Sequence, residues 1–225
     1  MTTAPIRAVV LDVDGLMLDT EGISRVAWQR ALAEWGLSIT DGQYLQLIGR
    51  TVPDVGKIMR AWFGADTPFD SIYARKLALV DEAIAAQGIP QKAGLAEFLA
   101  AVDALGLRKA VATSTARERA LYKIQLARVP GTFDAVAGGD EVANGKPAPD
   151  LFLLAARRLG IPPQECLAFE DSDAGAVSAH AAGMRLVIVP DQKPPSTEAS
   201  AAAWRIIPDL NQAARNLPEW VTGGE

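Results

Sequence analysis

Four short apolar runs, separated by stretches of helical periodicity, limit this chain's fold more than any other feature. They occupy residues 6–11, 108–113, 166–169 and 185–189, and a weaker run lies at 133–137. Runs this short and this rich in Val, Ile, Leu and Ala read as strands buried on both faces. Helical patterns at residues 95–105, 116–127, 150–159 and 173–182 alternate with the later runs, and the joints contain Gly and Pro. Strand and helix in alternation predict an α/β fold, a doubly wound parallel sheet with helices on both faces.

One interval breaks the alternation. Between about residues 20 and 87 the periodicity is helical only. Trp28, Ala31, Leu32 and Trp35 fall at i, i+3, i+4 and i+7; Ile58, Met59, Trp62 and Phe63 repeat the pattern, and Ile72, Leu79, Ala83 and Ala86 follow it more loosely. This is too much helix for a simple crossover. It predicts a Rossmann-like core from residues 1–17 and 90–225, and an inserted helical domain from residues 18–89 with hinges near 16–19 and 88–94. The Trp28/Trp35 and Trp62/Phe63 pairs are expected in the inserted domain's own core. Residues 190–196 read as a loop, 199–203 as an Ala-rich segment, and 209–216 as a short final helix packed on the sheet edge.

Composition narrows the chemistry. The chain has 225 residues, 49% of them hydrophobic and 22% charged, with a net charge of −5. That composition suits a globular protein, and neither the charge nor any basic run favours nucleic acid. No apolar run approaches the ~20 residues that span a bilayer, and Asp12 interrupts the N-terminal one, which predicts a cytoplasmic protein. The single cysteine, Cys166, excludes an internal disulfide and a multi-cysteine zinc site. With one histidine, His180, a two-histidine chemistry is excluded too. Carboxylates, hydroxyls, lysine or an oxygen-ligated metal remain. His180 is expected to be structural or on the surface, and Cys166 to be a buried small hydrophobe.

Four motifs sit where strands are expected to end, on the edge where open α/β folds bind ligands. The first is Asp12-Val13-Asp14-Gly15, with two carboxylates at i and i+2. A calcium loop is excluded there, because Leu16 and Met17 occupy the positions that need an oxygen ligand and a glycine. The second is Thr113-Ser114-Thr115 ahead of a helix, a hydroxyl and N–H cradle for an anion. The third is Lys146 in Gly145-Lys146-Pro147-Ala148-Pro149-Asp150. The fourth is Glu170-Asp171, followed by Ser172-Asp173-Ala174-Gly175. Asp12, Asp14, Glu170 and Asp171 in one cleft would repel one another unless a cation joined them, and oxygen-only ligands suggest Mg2+.

These motifs, in this order and with a helical insertion after the first strand, closely resemble the haloacid dehalogenase superfamily, in its sugar-phosphatase and β-phosphoglucomutase-like branch with a helical cap. The likeness extends over the whole chain. It implies that Asp12 is the nucleophile that forms an aspartyl phosphate and that Asp14 is the acid and base. It implies that Thr113, Ser114 and Lys146 hold the phosphoryl group. Mg2+ would lie among Asp12, the Asp14 carbonyl and Asp171, with Glu170 in support.

The expected activity is a Mg2+-dependent phosphatase acting on a small phosphorylated metabolite, as a monomer without nucleic-acid or membrane partners. The alternative is a β-phosphoglucomutase-like isomerase. In that branch a histidine follows the Asp-Thr of the flap, and a cap arginine follows a glycine by several residues. This chain has Ser24 in the first slot and Val52 in the second, with Arg50 directly after Gly49. Arg50 is the candidate cap residue for substrate recognition. The acid at Asp14 disfavours halide displacement and phosphonate cleavage, and intact Asp12, Asp14, Lys146 and Asp171 disfavour a silent binding protein.

Overall fold

The computed structural model describes residues 4–222; residues 1–3 and 223–225, which the expected core includes, lie outside the described residues. The six strands are β1 (Ala8–Leu11), β2 (Arg108–Ala112), β3 (Ala135–Ala137), β4 (Cys166–Glu170), β5 (Arg185–Ile188) and β6 (Arg205–Ile206). All pairings are parallel, in the order β3-β2-β1-β4-β5-β6. The chain order reverses direction between β1 and β4. That is the switch point beyond whose strand ends doubly wound folds form a ligand crevice.

The strand runs feed two cores, one on each face of the sheet, and most of their small side chains lie on one face, beside Val10, Leu186 and Ile188. On one face Val9, Leu11, Val111, Leu167, Phe169 and Val187 meet α5 (Leu95–Ala104) and α10 (Leu210–Thr222). On the other face Ala8, Ala110, Ala112, Cys166 and Ala168 alternate with them. Their small side chains let α7 (Asp150–Leu159) and α8 (Asp173–Ala181) approach closely. The remaining core helix with a role in the site is α6 (Arg117–Leu126), which follows β2.

Four helices stand between β1 and α5: α1 (Glu21–Ala33), α2 (Asp41–Tyr44), α3 (Val52–Phe63) and α4 (Phe69–Gln87). The two chain segments leading to and from them are tied together. Asp19 N–H donates to the Pro90 carbonyl at 2.9 Å, and Lys92 N–H donates to the Met17 carbonyl at 2.9 Å. Helix α1 packs along α4 through a stack of Trp28, Phe69 and Tyr73. Trp35 does not join this core. It lies past the C-terminus of α1 and is 39% exposed, so the i+7 spacing overstated the length of the helix.

Three further elements differ from expectation. Strand β6 has only two residues, too few to form a pattern. The Ala-rich segment is a helix, α9 (Thr197–Ala202), started by Ser196, whose Oγ accepts from Ala199 N–H at 3.1 Å. Helix α10 runs through Pro218 to Thr222, because Leu217 and Trp220 continue the buried face begun by Leu210 and Ala213. It packs on α5 rather than on the sheet edge, which β6 occupies. Among the described residues no helix is long and apolar enough to cross a membrane.

Phe98 on α5 is fully buried, and its ring meets that of Phe169 edge-on, with centroids 4.6 Å apart. Phe98→Ala is therefore expected to lower unfolding free energy by about 3–5 kcal/mol, read as a reduced midpoint in equilibrium urea denaturation.

Candidate active site

Strands β1, β2 and β4 are neighbours, so their C-terminal ends place Asp12, Thr113 and Glu170 side by side. Asp12 and Glu170 are both buried, and two adjacent buried carboxylates need a positive charge. Lys146 supplies it from the loop after β3. Its Nζ donates to Asp12 Oδ1 at 2.6 Å, to the Ala112 carbonyl at 3.0 Å, and to Glu170 Oε1. Only 1% of Lys146 is exposed. Burial alone would push its ammonium down, but the charges of Asp12 and Glu170 hold it above the ordinary lysine range. Burial pushes the Asp12 carboxyl up, to about 7, with Lys146 pulling down and Glu170 pushing up.

Glu170 is satisfied on its other oxygen. Its Oε2 accepts from Asp171 N–H, Ser172 N–H and Ser172 Oγ, each at 3.0 Å. The turn that makes this possible brings Gly175 against the same carboxylate, where any Cβ would overlap it. Asp171 lies differently. Its carboxylate rests against Gly15, whose φ is +90° and whose missing Cβ leaves the space. No lysine or arginine pairs with Asp171 among the described residues. Burial, then the charges of Glu170 and Asp12, hold Asp171 well above the usual carboxylate range.

Asp14 points to another set of donors. Its Oδ1 accepts from Thr20 Oγ1 at 2.6 Å and Lys123 Nζ at 2.7 Å, and its Oδ2 accepts from Thr115 Oγ1 at 2.7 Å. Burial would raise Asp14, but the charge and hydrogen bond of Lys123, with the two threonine bonds, hold it well below the usual range. Among the described residues no three His, Cys, Asp or Glu side chains form a metal cage. Lys146 and Lys123 offset part of the repulsion expected among the four carboxylates. The oxygens left for a cation are those of Asp12 and Asp171 and the Asp14 carbonyl, which accepts no backbone hydrogen bond among the described residues. A hard cation that keeps several waters suits so few ligands.

The hydroxyl loop after β2 divides its work. Thr113 is buried, and its Oγ1 accepts from Thr115 N–H at 3.1 Å. The Ser114 hydroxyl donates to the Gly49 carbonyl at 2.7 Å, so only its backbone N–H remains for an anion. Arg50, one residue on, lines the cleft between this loop and helices α1, α3 and α4. Ser24 and Val52 line it as well. His180 is exposed on α8, away from this cleft, and Cys166 is a buried thiol pushed up to about 12 by burial.

Sequence reasoning missed several cleft residues. Lys123, Lys76 and Glu21 all line it, beside Thr115 of the hydroxyl motif. A signal for the two lysines was present. Lys123 stands between Ala120 and Ala127, and Lys76 between Ile72 and Leu79, so each interrupts a helix's apolar stripe. Lys76 lies 5.6 Å from the Trp28 ring centroid, and burial followed by the charge of Lys123 lowers it to about 8. Glu21 is buried and accepts from the Tyr44 hydroxyl; burial raises its carboxyl despite that bond.

The chain belongs to the haloacid dehalogenase-like hydrolase family, whose model matches residues 6–183. It is thus a hydrolase built on the α/β core that this family shares. Among its relatives, protein CbbY of Rhodobacter capsulatus is 38% identical over 225 residues, covering 95% of this chain and 98% of the relative. Fructose-1-phosphate phosphatase YqaB of Escherichia coli is 32% identical over 183 residues, 80% of this chain and 95% of the relative. Among solved structures, CbbY of Rhodobacter sphaeroides, a mutant in complex with xylulose-1,5-bisphosphate, superposes with a TM-score of 0.78. It is 30% identical, covering 92% of this chain and 96% of that one.

Replacing Lys146 tests whether the site is held by charge. Lys146→Met leaves two buried carboxylates facing each other. Its expected cost is about 3–5 kcal/mol of unfolding free energy, measured by equilibrium denaturation at neutral pH.

Proposed function

We propose that this protein is a Mg2+-dependent phosphatase that hydrolyses a small phosphorylated metabolite, a sugar phosphate, through an aspartyl phosphate on Asp12. The observation that carries this reading is the Lys146 bridge. A buried ammonium fixes the Asp12 carboxylate at the strand switch point while leaving one of its oxygens, Oδ2, free of that contact. A carboxylate is a weak nucleophile, so positioning and charge neutralisation must supply most of the rate. The similarity to a fructose-1-phosphate phosphatase and to a CbbY solved with a sugar bisphosphate supports the sugar-phosphate assignment.

In this reading Asp12 and Asp171, with the Asp14 carbonyl, hold Mg2+, and Glu170 orients the turn that carries Asp171. Bound there, Mg2+ supplies the positive charge that lets a phosphate dianion approach carboxylates. Thr113 and the Ser114 N–H hold the phosphoryl oxygens, and Lys146 joins them by turning one of its three donors from its present partners. Asp12 forms its bond to phosphorus as the bond to the leaving oxygen breaks, and Asp14, which must first take up a proton from solvent against the pull of Lys123, gives that proton to the leaving oxygen. Asp14 then takes a proton from the water that attacks phosphorus, and the bond to Asp12 breaks. Arg50 recognises the rest of the substrate from the cap.

The division into a core of residues 1–17 and 90–225 and a cap of residues 18–89 belongs to the same reading. The paired hydrogen bonds at Asp19–Pro90 and Lys92–Met17 support hinges there. We place the enzyme in the cytoplasm as a monomer, without a nucleic-acid or membrane partner.

Removing the metal is the first test. Phosphate release from a panel of sugar phosphates should vanish after exhaustive chelation and return with added Mg2+; full activity after chelation would remove the metal from the mechanism. The second test separates hydrolysis from isomerisation. With Ser24 and Val52 in the cleft, water should reach the phosphoenzyme readily. Given β-glucose 1-phosphate and catalytic glucose 1,6-bisphosphate, the enzyme is expected to form no glucose 6-phosphate faster than it releases free phosphate. Rapid glucose 6-phosphate formation with little phosphate would establish a mutase instead.

A further inference from the structure

We propose that Lys123, on α6, is a positioning residue for Asp14, so that transfer of the proton to the leaving oxygen depends on a helix that follows the phosphate-binding loop. The proposal rests on the phosphatase reading and adds to it a residue outside the four motifs.

Asp14 is held by three donors from three places in the chain. Thr20 comes from the start of the helical insertion, Thr115 from the loop after β2, and Lys123 from α6, 109 residues away in sequence. Two of the donors are hydroxyls, which rotate and can exchange partners. The third carries a full charge and sits on a packed element. Lys123 is 9% exposed, and its neighbours on the same helix face, Ala120 and Ala127, are buried. Two turns into α6, its ammonium reaches Oδ1, the oxygen that Thr20 also bonds, while Thr115 holds Oδ2. Charge-assisted bonds are roughly twice as strong as neutral ones, so Lys123 does the most to set the direction of the carboxylate.

The pairing is specific. Arg119 lies one turn earlier on the same helix and lines the same cleft, but its guanidinium pairs with Asp81 on α4 at 2.8 Å. Lys76 approaches from α4 and stands over Trp28. Of the four basic residues that line the cleft, Arg50, Lys76, Arg119 and Lys123, only Lys123 pairs with Asp14 among the described residues. A lysine that only needed a counter-ion could be replaced at a cost in stability and nothing else. One that orients an acid must also change how the reaction depends on the leaving group.

That difference supplies the test. Values of kcat/KM report events up to and including release of the leaving group. They would be measured for the wild type, Lys123→Met, Lys123→Arg, Asp14→Asn and the Asp14→Asn/Lys123→Met double variant. Two substrates are compared: fructose 1-phosphate, whose alkoxide must be protonated, and p-nitrophenyl phosphate, whose phenolate leaves without a proton. Lys123→Met is expected to lower the fructose 1-phosphate to p-nitrophenyl phosphate ratio by about tenfold or more. Lys123→Arg should recover part of the ratio. The double variant should lose no more than Asp14→Asn alone, as groups acting in one step do. Equal losses on both substrates, or additive losses in the double variant, would overturn the proposal and leave the phosphatase reading standing. A wild type that releases phosphate from neither ester would overturn both. Circular dichroism checks folding, and if Lys123→Met does not fold, Lys123→Arg decides by the same ratio: a change supports the proposal and none overturns it.

Discussion

The site depends on one buried ammonium. Parallel strands β1 and β4 are adjacent at the point where the sheet changes direction, and each ends in a carboxylate. Asp12 and Glu170 would be costly together in a dry environment without a counter-charge. Lys146 reaches both from a loop on the far side of β2 and anchors itself on the Ala112 carbonyl. The loop after β3 is thereby tied to strands it does not adjoin, and Asp12 is held in one orientation. Phe152, on the helix that begins just after this loop, covers the ammonium with its ring at 5.2 Å.

Around that bridge the chain sorts its carboxylates by partner. Glu170 is saturated by Lys146, by two backbone N–H groups and by Ser172. Asp14 is saturated by Lys123 and two threonines. Asp171 has no basic partner among the described residues and rests over Gly15. Chemically similar groups a few ångströms apart are thus given different environments, a common arrangement where acids of one site take different roles. The glycines at 15 and 175 are part of the same sorting, since a methyl group at either would displace a carboxylate.

Much of the site was legible in the sequence because each motif is local and attached to a strand end. Asp12 and Thr113 follow β1 and β2 directly, Glu170 is the last residue of β4, and adjacent parallel strands bring their ends together whatever the loops do. Lys123 and Lys76 were not legible in the same way. Each is a basic residue within an apolar helix stripe, a pattern that also fits a lysine snorkelling to solvent. Trp35 shows the reverse error, since its spacing fits a helix that in fact ends at Ala33. Helix α10 shows a third case: the final helix expected over 209–216 runs on through Pro218 to Thr222, carried by the burial of Leu217 and Trp220.

The sequence by itself determined the alternation of strand and helix, the helical insertion after the first strand, and the placement of acids, hydroxyls and a lysine at strand ends. Those features follow from periodicity and residue type, which act over a few residues. The tertiary structure alone decided which charge neutralises which. Lys146 lies 134 residues from Asp12, and Lys123 lies 109 from Asp14. Such pairs are selected by burial, because in a low-dielectric cleft a carboxylate must find its donor, and only the folded packing of sheet, loop and helix says which donor is within reach.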